Sequence, residues 1–379
     1  MIYLDNAATT WPKPPEVTQA MLDAVAVNGA NPGRGGHQMA LEAGRIIYRT
    51  RELLAHLFNI NDPSRIIFTY NATDSLNMAL YGSLAPGDHV ITSRAEHNAV
   101  YRPLKLLESK GVEVTYVSCS PEGLIKLEEL KNSVCSNTKL IVMTHASNVL
   151  GTVQPIEEIG RFAKEKGLIF LVDAAQTAGV LDIDVEKMNI DLLAFPGHKS
   201  LYGPQGTGGL YIRPGYEITP FRAGGTGGNS ESPYLPEILP DRYESGTPNT
   251  PGIAGLGAGV SFILATGIDK IRCHEQKLTG QFLAGLRDIE QVKIYGLGKE
   301  DQAPVVSLNL GEEGSAEIAH ILDKAFGIAV RAGLHCAPLA HQTMQTLDQG
   351  AVRFSFSYFN TEAEIEYTLD CIKKIVQEL

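Results

Sequence analysis

The chain has 379 residues, enough for one large unit with a smaller one beside it. With 44% hydrophobic and 20% charged residues it can bury a sizeable core rather than remain disordered. A formal net charge of −11 argues against nucleic acid as a partner, because that binding rests on Lys and Arg meeting phosphates. No apolar run approaches membrane-spanning length, which argues against a membrane partner, and no signal peptide precedes Tyr3-Leu4-Asp5. The cysteines (Cys119, Cys135, Cys273, Cys336, Cys371) are odd in number and lack CxxC spacing, so free thiols in a reducing cytoplasm are expected.

Residues 1–15 form an arm containing Pro12, Pro14 and Pro15 that is expected to pack on one of the units after it. Strand-like apolar runs follow at 65–69, 88–93, 112–117, 139–144, 168–173, 191–195 and 208–212. Amphipathic stretches such as 73–84, 98–110 and 155–166 lie between several of them. Strands separated by helices need crossover connections, so the predicted fold is α/β, a mainly parallel seven-stranded sheet with helices on both faces. The stretch 222–252 is dense in glycine and proline. Beyond it, a helical segment at about 251–289 is predicted, with strands near 291–296, 304–310 and 351–356. Helices at about 315–326 and 361–378 complete a smaller α+β unit. The predicted division is a large unit over 16–249 and a small one made of 1–15 with 250–379.

Ligands of such sheets bind beyond the carboxyl ends of the strands, and several reactive side chains fall there. Strand 65–69 leads into Tyr70-Asn71-Ala72-Thr73-Asp74-Ser75 and a helix beginning near Thr73. Free backbone N–H groups and hydroxyls at that terminus make an anion site, with an ordinary helix cap as the plain alternative. Strand 88–93 is followed by Glu96-His97-Asn98, and strand 139–144 by His145-Ala146-Ser147-Asn148. Strand 168–173 ends on Asp173, with Gln176 just beyond. A buried acid is costly without a cationic partner, so Asp173 either caps the next helix or keeps the nitrogen of a bound heterocycle protonated. Strand 191–195 runs into Pro196-Gly197-His198-Lys199 and a glycine-rich loop. A lone lysine is ordinarily a surface charge; one desolvated here has the lowered pKa that Schiff-base chemistry requires.

The order of NATDS at 71–75, EHN at 96–98, SNVLG at 147–151, DAAQ at 173–176, GHK at 197–199 and GPQGTGGLY at 203–211 resembles a known family. It is that of the class V aminotransferase-like, fold-type I enzymes of pyridoxal 5'-phosphate (PLP). Within them the chain is most similar to the cysteine desulfurases and selenocysteine lyases of the group II kind. The likeness runs from YLDNAATT at 3–10 to AVRFSFSYFNT at 351–361. It implies PLP as cofactor, Lys199 as the Schiff-base lysine, Asp173 at the pyridine nitrogen and Gln176 at the ring's phenolic oxygen. His97 would stack on the ring and move protons, and Ala72, Thr73 and His198 would bind the phosphate. Thr247, in ESGTPNT, would reach the phosphate of a second copy, implying a homodimer with shared sites. Asn148 and Arg353, with Arg331 nearby, would bind the substrate carboxylate.

Residues 331–338, Arg-Ala-Gly-Leu-His-Cys-Ala-Pro, resemble the loop that carries the sulfur-accepting cysteine in group II desulfurases. The resemblance makes Cys336 the nucleophile that takes sulfur from L-cysteine as a persulfide and leaves L-alanine, with Arg331 and His335 favouring its thiolate. The other four cysteines are expected to be small buried residues, and no metal site is expected. Iron–sulfur cluster assembly and a sulfur-acceptor protein are the implied destination of the sulfur. The chain departs from the family at Pro196, which replaces the usual Ser or Thr donor to the phosphate, and in a 222–246 stretch that looks shorter. Selenocysteine lyase and an aminotransferase acting on a small amino acid stay open as alternatives. A nucleotide-binding scaffold is disfavoured by the lack of a GxxxxGK[ST] motif.

Overall fold

Each of the seven apolar runs is a strand of one sheet. In spatial order these are Ile66–Thr69, Gly208–Ile212, Leu192–Pro196, Ile169–Asp173, Thr138–Thr144, His89–Ser93 and Glu113–Val117. All neighbours are parallel except Gly208–Ile212, which runs antiparallel to both of its partners. The structure, a computed structural model, describes residues 1–379 apart from Arg34, Asn229, Ser230, Glu300, Asp301 and Leu379. Asn229 and Ser230 belong to the predicted turn-rich stretch and lie outside the described residues.

The strands read as unbroken apolar runs because both faces of the sheet are covered. Along Thr138–Thr144, Ile141 and Met143 enter one core layer while Leu140 and Val142 enter the other. Phe170 and Val172 are likewise separated from Ile169 and Leu171, and Leu193 and Phe195 from Leu192 and Ala194. The period-two geometry of a strand thus divides one apolar run between two layers. Helices Ala72–Ser83 and Asn98–Glu108 pack on one face, and helix Ile156–Lys166 on the other.

The predicted helix at 251–289 is two helices, Thr250–Thr266 and Ile268–Arg287, bent by 84°. The reason is Gly267, whose φ of +91° is open to glycine and strained for other residues. Leu256, Val260 and Ile263 of the first helix belong to the core of the large sheet. Two helices before the first sheet strand, Pro15–Ala26 and Gln38–Leu57, had no counterpart among the predicted elements. Among the described residues no single helix is long and apolar enough to cross a membrane.

A second sheet has the order Arg331–Gly333, Ala351–Ser355, Val305–Leu310, Val292–Tyr295, all antiparallel. Helices Ser315–Phe326 and Glu362–Glu378 cover it with their own core. The N-terminal arm packs on this unit: Ile2–Tyr3 pairs with Ile328–Ala329, and the Ser355 N–H donates to the Leu4 carbonyl at 2.7 Å. The arm then crosses toward the carboxyl edge of the large sheet.

Candidate active site

The site is built at strand ends. Strand Ile169–Asp173 delivers Asp173 to the carboxyl edge at 2% exposure, where its Oδ1 accepts from the Ala175 N–H at 2.9 Å. Asp173 is therefore the turn cap that local chemistry allows and also an acid facing a cavity. Burial raises its pKa, while the Ala175 N–H and Lys199 oppose the rise.

The next strand, Leu192–Pro196, delivers Lys199 through a tight turn. Gly197 N–H donates to the Thr207 carbonyl and Gly203 N–H to the Gly197 carbonyl, both at 2.8 Å. Burial lowers the Lys199 pKa to about 8, with Asp173 working against the shift and Arg353 and Arg331 adding to it. The carbonyl of the preceding residue, His198, accepts from three donors of the N-terminal arm. They are Lys13 Nζ at 2.5 Å, Thr9 Oγ1 at 3.1 Å and the Thr10 N–H at 3.2 Å. Burial lowers Lys13 to about 8 as well. The peptide that carries Lys199 is thus held from a segment nearly two hundred residues away.

Ala72 and Thr73 open helix Ala72–Ser83, whose N-cap Asn71 accepts from the Asp74 N–H at 2.9 Å. His97 caps helix Asn98–Glu108, its Nδ1 accepting from the Ala99 N–H at 3.0 Å. Burial and the nearby Lys199 and arginine charges lower the His97 pKa to about 3, and burial and Lys199 bring His198 to about 4. Both rings are neutral in this environment. Gln176 Nε2 donates to the Ala7 carbonyl at 3.2 Å.

Arg353 lies at 1% exposure, with Nη2 paired to Asp5 Oδ1 at 2.8 Å and Nη1 donating to the Asn148 carbonyl at 3.0 Å. Two positions of its fork are thus engaged within the protein, and its buried Nε has no partner. Asn148 is anchored too, its Nδ2 donating to the His335 carbonyl at 2.7 Å.

All the residues expected at the site except Cys336 and Thr247 line one cavity of about 200 Å³. Cys336 is exposed and lies beside that cavity, 3.6 Å from Nη2 of Arg331, which is one of its walls. Thr247 lines a separate cleft with Tyr70, Arg222 and Ser245. One electrostatic expectation fails. His335 does not offer a positive charge to Cys336, because its ring is turned inward and burial and Arg353 lower its pKa to about 3. Cys135 and Cys273 are also exposed rather than buried, the first in a turn and the second on a helix surface; Cys119 and Cys371 are buried as expected.

Some residues of the site were not singled out from the sequence. Ala7 and Ala8 line the cavity, and Asp5 and Lys13 hold its members. Glu96 sits behind it, fully buried, accepting from Ser93 Oγ at 2.7 Å and from the Thr144 N–H at 3.0 Å. The stretch 3–10 hinted at Asp5, Ala7 and Ala8 and the position next to His97 at Glu96, while nothing local marked Lys13.

The donor set fits a phosphorylated pyridine aldehyde. A helix N-terminus suits the phosphate, a buried acid the ring nitrogen, and an amine of lowered pKa the aldehyde. Two buried nitrogens at this cavity, His198 Nδ1 and Arg353 Nε, have no partner in the protein and so leave capacity for a polar guest.

Comparison with known proteins agrees with this chemistry. A model of the class-V aminotransferase family matches residues 2–368. A probable cysteine desulfurase of Methanothermobacter thermautotrophicus is 36% identical over 382 residues, covering 99% of this chain and 94% of its own. The cysteine desulfurase IscS of Vibrio campbellii is 34% identical, with 100% of this chain and 93% of the relative covered. Among solved structures, the apo cysteine desulfurase from Thermococcus onnurineus NA1 superposes with a TM-score of 0.93 at 33% identity. That match covers 100% of this chain and 95% of the other. Sequence and fold therefore agree along nearly the whole length, and the chain belongs to the class-V aminotransferase family, alongside the cysteine desulfurases.

Proposed function

We propose that the chain is a PLP-dependent cysteine desulfurase that converts L-cysteine to L-alanine and carries the sulfur on Cys336 as a persulfide. The observation that carries the reading is the convergence of Lys199, Asp173, His97, Thr73 and Arg353 on one cavity, with Cys336 at its side.

Bound there, PLP would supply an electron sink for the substrate Cα. Lys199 would hold it covalently, Asp173 would pair with the ring nitrogen and Gln176 with the phenolic oxygen. The N-terminus of helix Ala72–Ser83, with Thr73 and His198, would hold the phosphate; Pro196 has no N–H to add. His97, whose ring burial keeps neutral, would lie against the ring and move a proton. Asn148, Arg331 and the remaining donors of Arg353 orient the substrate carboxylate. Cys336 attacks the substrate sulfur. A sulfur–sulfur bond forms as the carbon–sulfur bond breaks, and the carbon is protonated to give alanine.

Thr247 completes the phosphate pocket of a second copy in a homodimer, in keeping with its place in a separate cleft. The IscS name of one relative supports iron–sulfur cluster assembly, through an acceptor protein, as the destination of the sulfur. Free cysteines support a reducing compartment, the cytoplasm.

The test is Cys336→Ala. Persulfide and alanine formation from L-cysteine should be abolished while the absorbance of the lysine-bound cofactor persists. Undiminished cysteine turnover in that variant would overturn the mechanism.

A further inference from the structure

The turn that carries Cys336 is strained. His335 and Cys336 have φ of +49° and +58°, two consecutive non-glycine residues in the left-handed region. Such a conformation persists only where its surroundings over-determine it. Two backbone contacts do part of this. The Asn148 side chain donates to the His335 carbonyl and the Asn98 N–H to the Cys336 carbonyl, each at 2.7 Å.

A third restraint lies beneath the turn. The His335 ring is buried against His341, the two rings nearly parallel at 19° with centroids 5.6 Å apart. His335 Nε2 is 3.2 Å from the Arg331 carbonyl, and its Nδ1 is 3.4 Å from His341 Nε2. His341 Nδ1 in turn is 2.8 Å from Thr346 Oγ1.

Donor and acceptor roles in this chain follow from its fixed end. A carbonyl only accepts, so His335 carries its hydrogen on Nε2 and presents a bare Nδ1. His341 must then donate from Nε2, which leaves its Nδ1 bare for the hydroxyl of Thr346. With both rings neutral, one arrangement satisfies all three bonds, and in it the Thr346 hydroxyl is the terminal donor. The chain starts at Arg331, which touches the Cys336 sulfur at 3.6 Å, and ends at Thr346, in the segment that leads into the strand carrying Arg353.

We propose that His335, His341 and Thr346 form a neutral hydrogen-bonded relay that positions Cys336, holding its strained turn so that the thiol stays beside Arg331 at the wall of the Lys199 cavity. The proposal rests on the reading of Cys336 as the sulfur acceptor. The three are positioning residues, acting on the reaction through Cys336.

Thr346→Val removes the terminal donor with little change of shape, and Thr346→Ser keeps it. His341→Leu and His341→Gln make the same comparison one step nearer, since the Gln amide can still donate to His335. The first readout is alkylation of Cys336 by iodoacetamide in cofactor-free protein, followed by mass spectrometry with exposed Cys135 and Cys273 as references. The second is kcat and KM for L-cysteine in the loaded enzyme.

Thr346→Val and His341→Leu should slow Cys336 alkylation several-fold relative to the two references, and lower kcat roughly tenfold with KM little changed. Thr346→Ser and His341→Gln should restore most of both. A Thr346→Val protein with the parent's alkylation ratio and kcat would overturn the relay, and that variant suffices if His341→Leu fails to fold. Turnover surviving in Cys336→Ala would instead defeat the acceptor reading, whereas the alkylation ratio, measured without turnover, judges the relay alone.

Discussion

Lys199 and Lys13 are both lowered to about 8 by burial, yet only one of them was legible in the sequence. Lys199 stands between an apolar strand and a glycine-rich loop, so its desolvation follows from local order. Lys13 lies in a proline-rich arm, and the carbonyl it holds is 185 positions away. His335 shows the same limit, because adjacency to Cys336 suggested a charged neighbour while burial made it a neutral one.

Burial also sets Glu275, which is 1% exposed with Oε2 unpartnered and its pKa pushed up to about 8. The unfolded chain releases that proton near 4.5, whereas the folded protein keeps it to about 8. Between these values the folded state binds more protons, so stability contributed by the protonated acid is complete below pH 4.5 and lost as pH rises to 8. Glu275→Gln, which cannot ionise, should therefore gain on the parent protein between pH 5 and pH 8, by on the order of 3 kcal/mol. Urea unfolding of both proteins at the two pH values checks this. A stability difference that does not change with pH would show that Glu275 ionises normally in the fold.

At the scale of elements, the seven strands were readable because each is a short apolar run bounded by turn residues, and alternation then assigns its side chains to two layers. The break at Gly267 was less visible, since the residues on both sides continue a helical pattern and a single glycine decides the bend. The turn after strand Leu192–Pro196 depends on close approach instead. A Cβ on Gly197 would lie 2.1 Å from Thr207 Oγ1 and 3.2 Å from Leu256 Cδ1. Gly197→Ala must push the Lys199 loop away from both, and should destabilise the protein by roughly 1–3 kcal/mol and reduce bound cofactor. The urea midpoint and the cofactor absorbance report the two effects. An unchanged midpoint would mean that the loop yields at no cost.

For the molecule as a whole, the two core systems meet at the site. Arg353 and Arg331 come from the second sheet and Lys199 and Asp173 from the first, with the N-terminal arm strapped across both. Thr247 stands apart in its own cleft, and the proposed homodimer makes a specific demand of it. Lys199→Ala and Thr247→Ala proteins should each be impaired alone. Refolded together in equal amounts, about half the dimers would be mixed, each with one intact site, restoring roughly a quarter of full activity. Recovery no greater than the average of the two separate proteins would place Thr247 outside the partner's site.

The order of amino acids was enough to locate the strands and to show that an acid, a lysine, a histidine and an anion-binding turn follow them, because strand periodicity and turn chemistry act over a few residues. It also carried the family resemblance, which rests on motifs in a set order. Folding had to supply the rest. The clamp on the His198 carbonyl, the Asp5–Arg353 pair and the inward turn of His335 join segments far apart in the chain or depend on which way a ring faces. Charge states at the site follow from desolvation, which exists only once the layers have closed over it.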